Sequence, residues 1–213
     1  MLDVIYEDDA LVAVNKPANL PVHQVINRAR PDLQSMLEKQ LGRPLVLFHR
    51  LDADTTGVVL LGKQRSINAA IAKLFAKKLM RKTYWAVAAG RWRTEWNKVE
   101  TRIDGGNGRR YRNVIVGGRE AISTFRVLAA NDEKSWVEVL PKTGRTHQIR
   151  LHCLAMGCPV LGDRVYGEAA VVPMALHARR LDFRHPLGGH EVRIEAPVPD
   201  YWQHWLEGLA PLP

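Results

Sequence analysis

The sequence predicts an α+β fold: one domain, residues 1–213, built on a mixed, largely antiparallel sheet that is divided by a central cleft and flanked by helices. Three observations lead there. Strand candidates outnumber helix candidates, many connections are of hairpin length, and no internal repeat or low-complexity linker breaks the chain. With 213 residues, 46% of them hydrophobic, the chain can bury a core of its own.

The elements follow in order. Residues 2–6 and 11–14 read as short strands around the acidic turn Glu7-Asp8-Asp9, and a loop stiffened by Pro17 and Pro21 comes next. Residues 32–41 place Leu33, Met36, Leu37 and Leu41 at helical spacing. The apolar run 45–48 leads into His49-Arg50-Leu51-Asp52, then a polar loop and the β-rich run 58–61, so Asp52 stands where a strand gives way to a loop. The spacing predicts a helix over 66–80, with Ser66 as N-cap and an apolar stripe of Ile67, Ile71, Leu74, Phe75 and Leu79.

A strand over 83–89 follows. Residues 93–120, rich in Gly and Arg, suggest a short strand pair with mobile basic loops. Strands resume at 121–129 and 135–140. A helix is expected over 146–156, ended by Gly157 as its C′ glycine. Strands over 176–184 and 191–196 precede a terminal amphipathic helix carrying Tyr201, Trp202, Trp205 and Leu206.

The net charge of +9 attracts polyanions without specifying a fold. No stretch approaches the roughly 20 apolar residues of a membrane helix, and the acidic start does not resemble a signal peptide. A cytoplasmic protein with no membrane partner is expected. Cys153 and Cys158 fit neither a zinc knuckle nor a CxxC pair, so they read as buried thiols.

Two clusters carry candidate chemistry. In His49-Arg50-Leu51-Asp52, strand geometry would put Arg50 and Asp52 on one side. An arginine beside a carboxylate favours its charged form, which can act as nucleophile, base or ion-pair partner. Local physics leaves Asp52 as half of an ion pair, with Arg50 or a distant arginine as the other half. In the second cluster, Arg145 to His152, Arg150 sits one step off a buried helical stripe: half-buried it needs a carboxylate, but by this segment alone it reads as a solvated arginine on the helix flank. Lys142-Thr143-Gly144-Arg145 before a helix invites a phosphate, though it is not a P-loop. His147 and His152, five apart, diverge on a helix, so no metal site is expected.

Taken together, the motifs resemble the RluA-type pseudouridine synthase family. Residues 49–57, HRLDADTTG, are similar to its signature HRLDxxTSG, and Val14-Asn15-Lys16-Pro17 through Val22-His23 resembles its upstream segment. Lys82-Thr83-Tyr84 matches a K-x-Y element, and residues 142–152, KTGRTHQIRLH, match the third motif. Pro159 to Asp163 and Leu176-His177-Ala178 match later landmarks, in family order.

The resemblance implies an RNA isomerase that needs no cofactor. Asp52 would be the catalytic aspartate, Arg150 its partner, and Tyr84 a neighbour of the target base that can assist proton transfer. Leu151 would lie against the uracil, and Arg50 would fill the gap left by the flipped uridine. His49 and Arg145 fall with the RNA-contacting residues, and the basic loop 109–112 would meet phosphates.

Thr56 replaces the usual Ser and keeps a hydroxyl. Asn19 replaces a Gly and tolerates a left-handed turn. Many relatives carry an N-terminal S4-type RNA-binding domain; here the motifs begin almost at Met1, so none is expected. The implied partner is structured RNA, tRNA or ribosomal RNA, bound by a monomer with no obligate protein partner. The rival readings are a non-catalytic RNA-binding protein on the same scaffold, and a His/Asp hydrolase, which lacks a matching motif order.

Overall fold

The computed structural model describes residues 1–23, 31–93, 96–105 and 110–209. They gather into two compact units. The fold class is the expected one: the sheets are mixed and largely antiparallel, with four α-helices among the described residues. None of these helices is long and apolar enough to cross a membrane.

The first unit comprises residues 1–82 and 177–199. Here β1 (Asp3–Glu7), β2 (Leu11–Lys16) and β4 (Thr56–Gly62) run antiparallel in that order. The other edge of β4 is shared. β10 (Leu176–Arg184) pairs in parallel with Thr56 and Gly57, while the two-residue β3 (Val46–Leu47) pairs antiparallel with Leu61 and Gly62. β11 (Glu191–Glu195) closes a hairpin with β10.

Helix α1 (Leu33–Leu41) begins at Asp32, whose carboxylate accepts the Ser35 N–H, and ends at left-handed Gly42. Every residue of β4 is buried. Its Val58 and Leu60 meet Leu11, Ile67, Ile71, Leu181 and Phe183 in the unit's core. The helix expected over 66–80 is shorter. Residues 65–67 form a 3-10 turn, α2 spans Asn68–Ala76, and Lys78 turns left-handed. Ser66 does not cap it; its hydroxyl bonds the Gln64 side chain instead. Leu79 therefore falls outside the helix and is 55% exposed.

The second unit comprises residues 83–176 and 200–213. It holds an antiparallel meander, β5 (Arg81–Ala89), β9 (Lys134–Pro141), β8 (Arg119–Ala130), β6 (Trp96–Asp104) and β7 (Arg112–Val114), in that spatial order. β6 is longer than the short strand expected there. Part of the basic loop, residues 106–109, lies outside the described residues.

Helix α3 (Gln148–Ala155) starts two residues later than its periodicity suggested. The Gln148 carboxamide oxygen accepts from the Thr143 hydroxyl (2.7 Å) and the Arg145 N–H (3.0 Å). Its amide donates to the Ile122 carbonyl. These bonds hold 143–147 as a turn, and His147 enters the helix left-handed at φ 58°. Gly157 ends it, left-handed as expected. A short helix, α4 (Trp202–Leu206), is tied down by the Trp205 indole donating to the Pro173 carbonyl.

Candidate active site

Asp52 lies in the loop between β3 and β4, and residues 48–52 are not strand, so the alternation expected for Arg50 and Asp52 does not apply. The loop is shaped by groups on every side. β10 and β3 leave a gap along the edge of β4, and the Leu60 N–H facing it donates to His49 Nε2 at 3.0 Å. That bond makes Nε2 an acceptor, so His49 is neutral with its proton on Nδ1. Burial agrees, pulling its pKa down to about 4, with the Lys82 charge adding to the shift. The ring lies 5.2 Å from that of Phe75. His49 thus fastens the loop to the sheet. Arg50 beside it is exposed, and Leu51 is buried.

Beyond Asp52 the chain turns, with the Thr55 N–H donating to the Asp52 carbonyl (3.1 Å). Lys16 reaches the same turn from β2. Its side chain is fully buried, and its ammonium donates to the carbonyls of Pro17 (2.9 Å), Leu20 (2.8 Å) and Ala53 (2.7 Å). Burial draws the Lys16 pKa down to about 7, and the charges of Asp54 and Asp52 act against that shift. Three carbonyl acceptors also match the three protons of an ammonium, which favours the charged form. Asn19, left-handed at φ 61°, lets the 17–20 loop close around it.

The turn is anchored at its far end by Thr56 and His177, both fully buried. His177 Nε2 donates to the Ala196 carbonyl (3.1 Å), so Nδ1 is the acceptor and takes the Thr56 hydroxyl proton at 2.8 Å. Burial holds the His177 pKa down at about 4. Next to this pair, Gly57 (φ 105°) brings β4 so close to β10 that a Cβ would sit 2.3 Å from the Ala178 carbonyl oxygen. The strands approach this closely because position 57 is glycine.

In the second unit, Arg150 is 4% exposed and makes a bidentate ion pair with Asp163: Nε to Oδ2 at 2.7 Å and Nη2 to Oδ1 at 2.6 Å. Burial alone would raise the Asp163 pKa. The Arg150 hydrogen bonds and charge outweigh it, aided by the N–H groups of Val165 and Tyr166, and the carboxyl titrates below its ordinary range. The guanidinium lies 5.0 Å from the centre of the Tyr166 ring. Tyr166 donates to the Tyr111 carbonyl (3.0 Å), so its oxygen accepts from His147 Nδ1 (2.8 Å).

Tyr84 is half-buried on β5, opposite Val139. Leu151 is buried with Ile103, Ala121 and Tyr166. The Arg145 guanidinium donates to the Glu120 carbonyl at 2.8 Å.

The model of the family described as RNA pseudouridylate synthase matches residues 10–155. The ribosomal large subunit pseudouridine synthase C of Rickettsia typhi is 35% identical over 213 residues, covering 95% of this chain and 70% of that protein. The chain belongs to the RNA pseudouridine synthase family. It is an isomerase of that class, as the motif order implied. An uncharacterized RNA pseudouridine synthase of Bacillus subtilis, YhcT, is 33% identical, covering 93% of this chain and 69% of its own. Among solved structures, human RNA pseudouridylate synthase domain containing 4 aligns with a TM-score of 0.78 and 27% identity. That alignment covers 98% of this chain and 94% of the human one.

Three residues of this synthase stood in the family motifs without a role assigned to them: Lys16, His177 and Asp163. Lys16 had a signal, a lone cation closing a strand whose first four residues are apolar. A half-buried Arg150 required a carboxylate, and Asp163 supplies two of its bonds. Thr56 was noted only as a substitute for Ser, and its bond to His177 links positions 121 residues apart.

Proposed function

We propose that this synthase converts uridine to pseudouridine in ribosomal RNA, with Asp52 as the catalytic carboxylate and Arg150 as its partner. The observation that carries the reading is the bracing of the Asp52 turn. His49 holds it before Asp52, Lys16 holds Ala53, and Thr56 is bound to His177, so the carboxylate is carried on a loop with little freedom. Such preorganisation is what a group acting on a glycosidic bond needs. The ribosomal assignment rests on relatives named for the large ribosomal subunit.

The reaction balances without a co-reactant. The bond from ribose C1′ to uracil N1 breaks as Asp52 attacks the ribose or otherwise stabilises its loss of the base. The base turns, C5 bonds to C1′, the C5 proton leaves, and N1 ends protonated. Arg150, buried and already oriented by Asp163, orients the aspartate. Tyr84 lies beside the base and assists proton transfer, and exposed Arg50 takes the place of the flipped uridine. The protein acts as a cytoplasmic monomer in a single catalytic domain.

The test is pseudouridine detected by carbodiimide in unmodified large-subunit ribosomal RNA and in total tRNA, incubated with wild type or Asp52→Asn. Conversion of ribosomal RNA by wild type, with loss of at least a thousandfold in the variant, is expected. Equal conversion by both proteins would remove Asp52 from the chemistry. Binding without conversion by wild type would make the chain a non-catalytic RNA-binding protein, and conversion of tRNA alone would move the substrate.

A further inference from the structure

The four residues that carry the chain from β7 to β8 pass over β6, since both strands pair with β6. Ile115 is 96% exposed and Val116 87% exposed. Single exposed aliphatics are common; two adjacent ones at the tip of a loop, beside an open sheet end, invite aggregation unless a partner covers them.

The loop that presents them is held in place. Arg102 lies under it and donates through Nε to the Gly117 carbonyl and through Nη2 to the Gly118 carbonyl (3.0 Å). Gly117 and Gly118 are both left-handed, and a Cβ on Gly118 would sit 2.8 Å from Val114 Cγ2 and 2.9 Å from the Ile103 carbonyl oxygen. Both exposed residues are β-branched, hence stiff about χ1. The tip is a preformed apolar knob.

Its surroundings are cationic. Residues 102–120 contain five arginines and two acids, Asp104 and Glu120. Elsewhere several surface arginines meet carboxylates, Arg91 with Asp132, Arg179 with Glu195, and Arg180 and Arg193 with Asp182, while Arg43 and Arg184 bond backbone carbonyls. Around the tip several arginines lie together and none meets a carboxylate among the described residues. Arg102 and Arg145 bond only to backbone carbonyls, Arg110 bonds the Val165 carbonyl, and Arg112 and Arg119 are exposed. None of the side chains of Arg102, Arg110, Arg112, Arg119 and Arg145 lies within 4.0 Å of a carboxylate among the described residues. Among the described residues no acid neutralises their charge.

We propose that the 115–118 loop is an RNA-inserting tip: Ile115 and Val116 pack against unstacked bases while Arg110, Arg112 and Arg119 hold the flanking phosphates. Apolar wedges flanked by arginines enter nucleic acid in this way, opening a stack and gripping the backbone beside it. RNA offers such openings in its loops and bulges. The proposal rests on the RNA-modifying reading and assigns it an RNA-binding surface in the second unit.

Three arms test it on the full chain. A photo-crosslinking residue at position 115 should label an unmodified large-subunit ribosomal RNA transcript, while the same residue at Val171, exposed in the same unit, should not. Ile115→Asp with Val116→Asp should weaken binding to that transcript at least tenfold, leaving the thermal melt unchanged because both side chains are exposed. Arg112→Gln with Arg119→Gln should make the slope of log affinity against log salt shallower by about 0.7 to 0.9 for each phosphate that is no longer neutralised. If wild type modifies the RNA while labelling at 115 matches labelling at 171 and affinity is unchanged, the tip is wrong and the RNA reading stands. Failure of wild type to bind or modify any RNA would remove the underlying reading. Ile115-dependent sedimentation with phosphatidylserine vesicles in place of RNA would reassign the tip to a membrane surface.

Discussion

Replacing Thr56 by Val tests how the Asp52 turn is held. The two side chains have nearly the same shape, so no sizeable cavity forms. What disappears is the 2.8 Å bond to His177 Nδ1, in a place where neither residue meets water. His177 cannot recover by changing tautomer, because Nε2 must keep its proton for the Ala196 carbonyl. The variant therefore leaves a buried acceptor unsatisfied, which costs about 1–3 kcal/mol. For a chain of this length that corresponds to a fall in Tm on the order of 2 to 12 °C. The decisive assay is a double-mutant cycle by urea unfolding, with Thr56→Val and His177→Leu singly and together. The coupling should be about 1–2 kcal/mol. Thr56→Ser, which keeps the hydroxyl, should retain the coupling with His177 and most of the single-turnover rate, whereas Thr56→Val should lose turnover more than RNA affinity. A coupling below about 0.5 kcal/mol would refute the assignment.

Acid should weaken the first unit through the same histidine. The folded pKa of His177 is about 4 against an ordinary 6.5, so between these values the unfolded chain binds more protons than the folded one. The stabilisation is full above pH 6.5 and is lost as pH falls toward 4. At about 1.4 kcal/mol per pH unit, the total is on the order of 3 kcal/mol. His49 and His152, also held down by burial, act in the same direction. Urea midpoints measured from pH 7.5 to 4.5 check this, and a flat profile would contradict it. In the second unit, Asp163→Asn should cost about 3 kcal/mol, because it removes a negative, bidentate partner of a buried guanidinium. An unchanged urea midpoint would show that the pair contributes nothing net.

Much of the architecture was legible because it depends on neighbours in sequence. Alternation and turn residues placed β1, β2, β5, β8, β9 and β10 within a few residues, and Gly157 marked a helix end through a backbone demand that is local. The family was legible too, since its motifs are short runs in a set order. Local pattern failed where tertiary packing overrides it. The α2 periodicity continued through Leu79, yet the helix stops at Ala76 and Leu79 is left in solvent. Gln148 reached back to hold residues 143–147 as a turn, which delayed α3.

By itself, the sequence determined which residue types the chemistry can use: a carboxylate at position 52, an arginine at 150, and a basic surplus suited to RNA. Only the tertiary structure decided what holds them. Burial removes competing water, so each enclosed polar atom must find a partner wherever the chain brings one. That requirement matched His49 to the Leu60 amide, Lys16 to the Ala53 carbonyl, Thr56 to His177, and Arg150 to Asp163. Spacing along the chain could not reveal these pairs, because most of them join segments distant in sequence and all depend on which groups the fold seals from solvent.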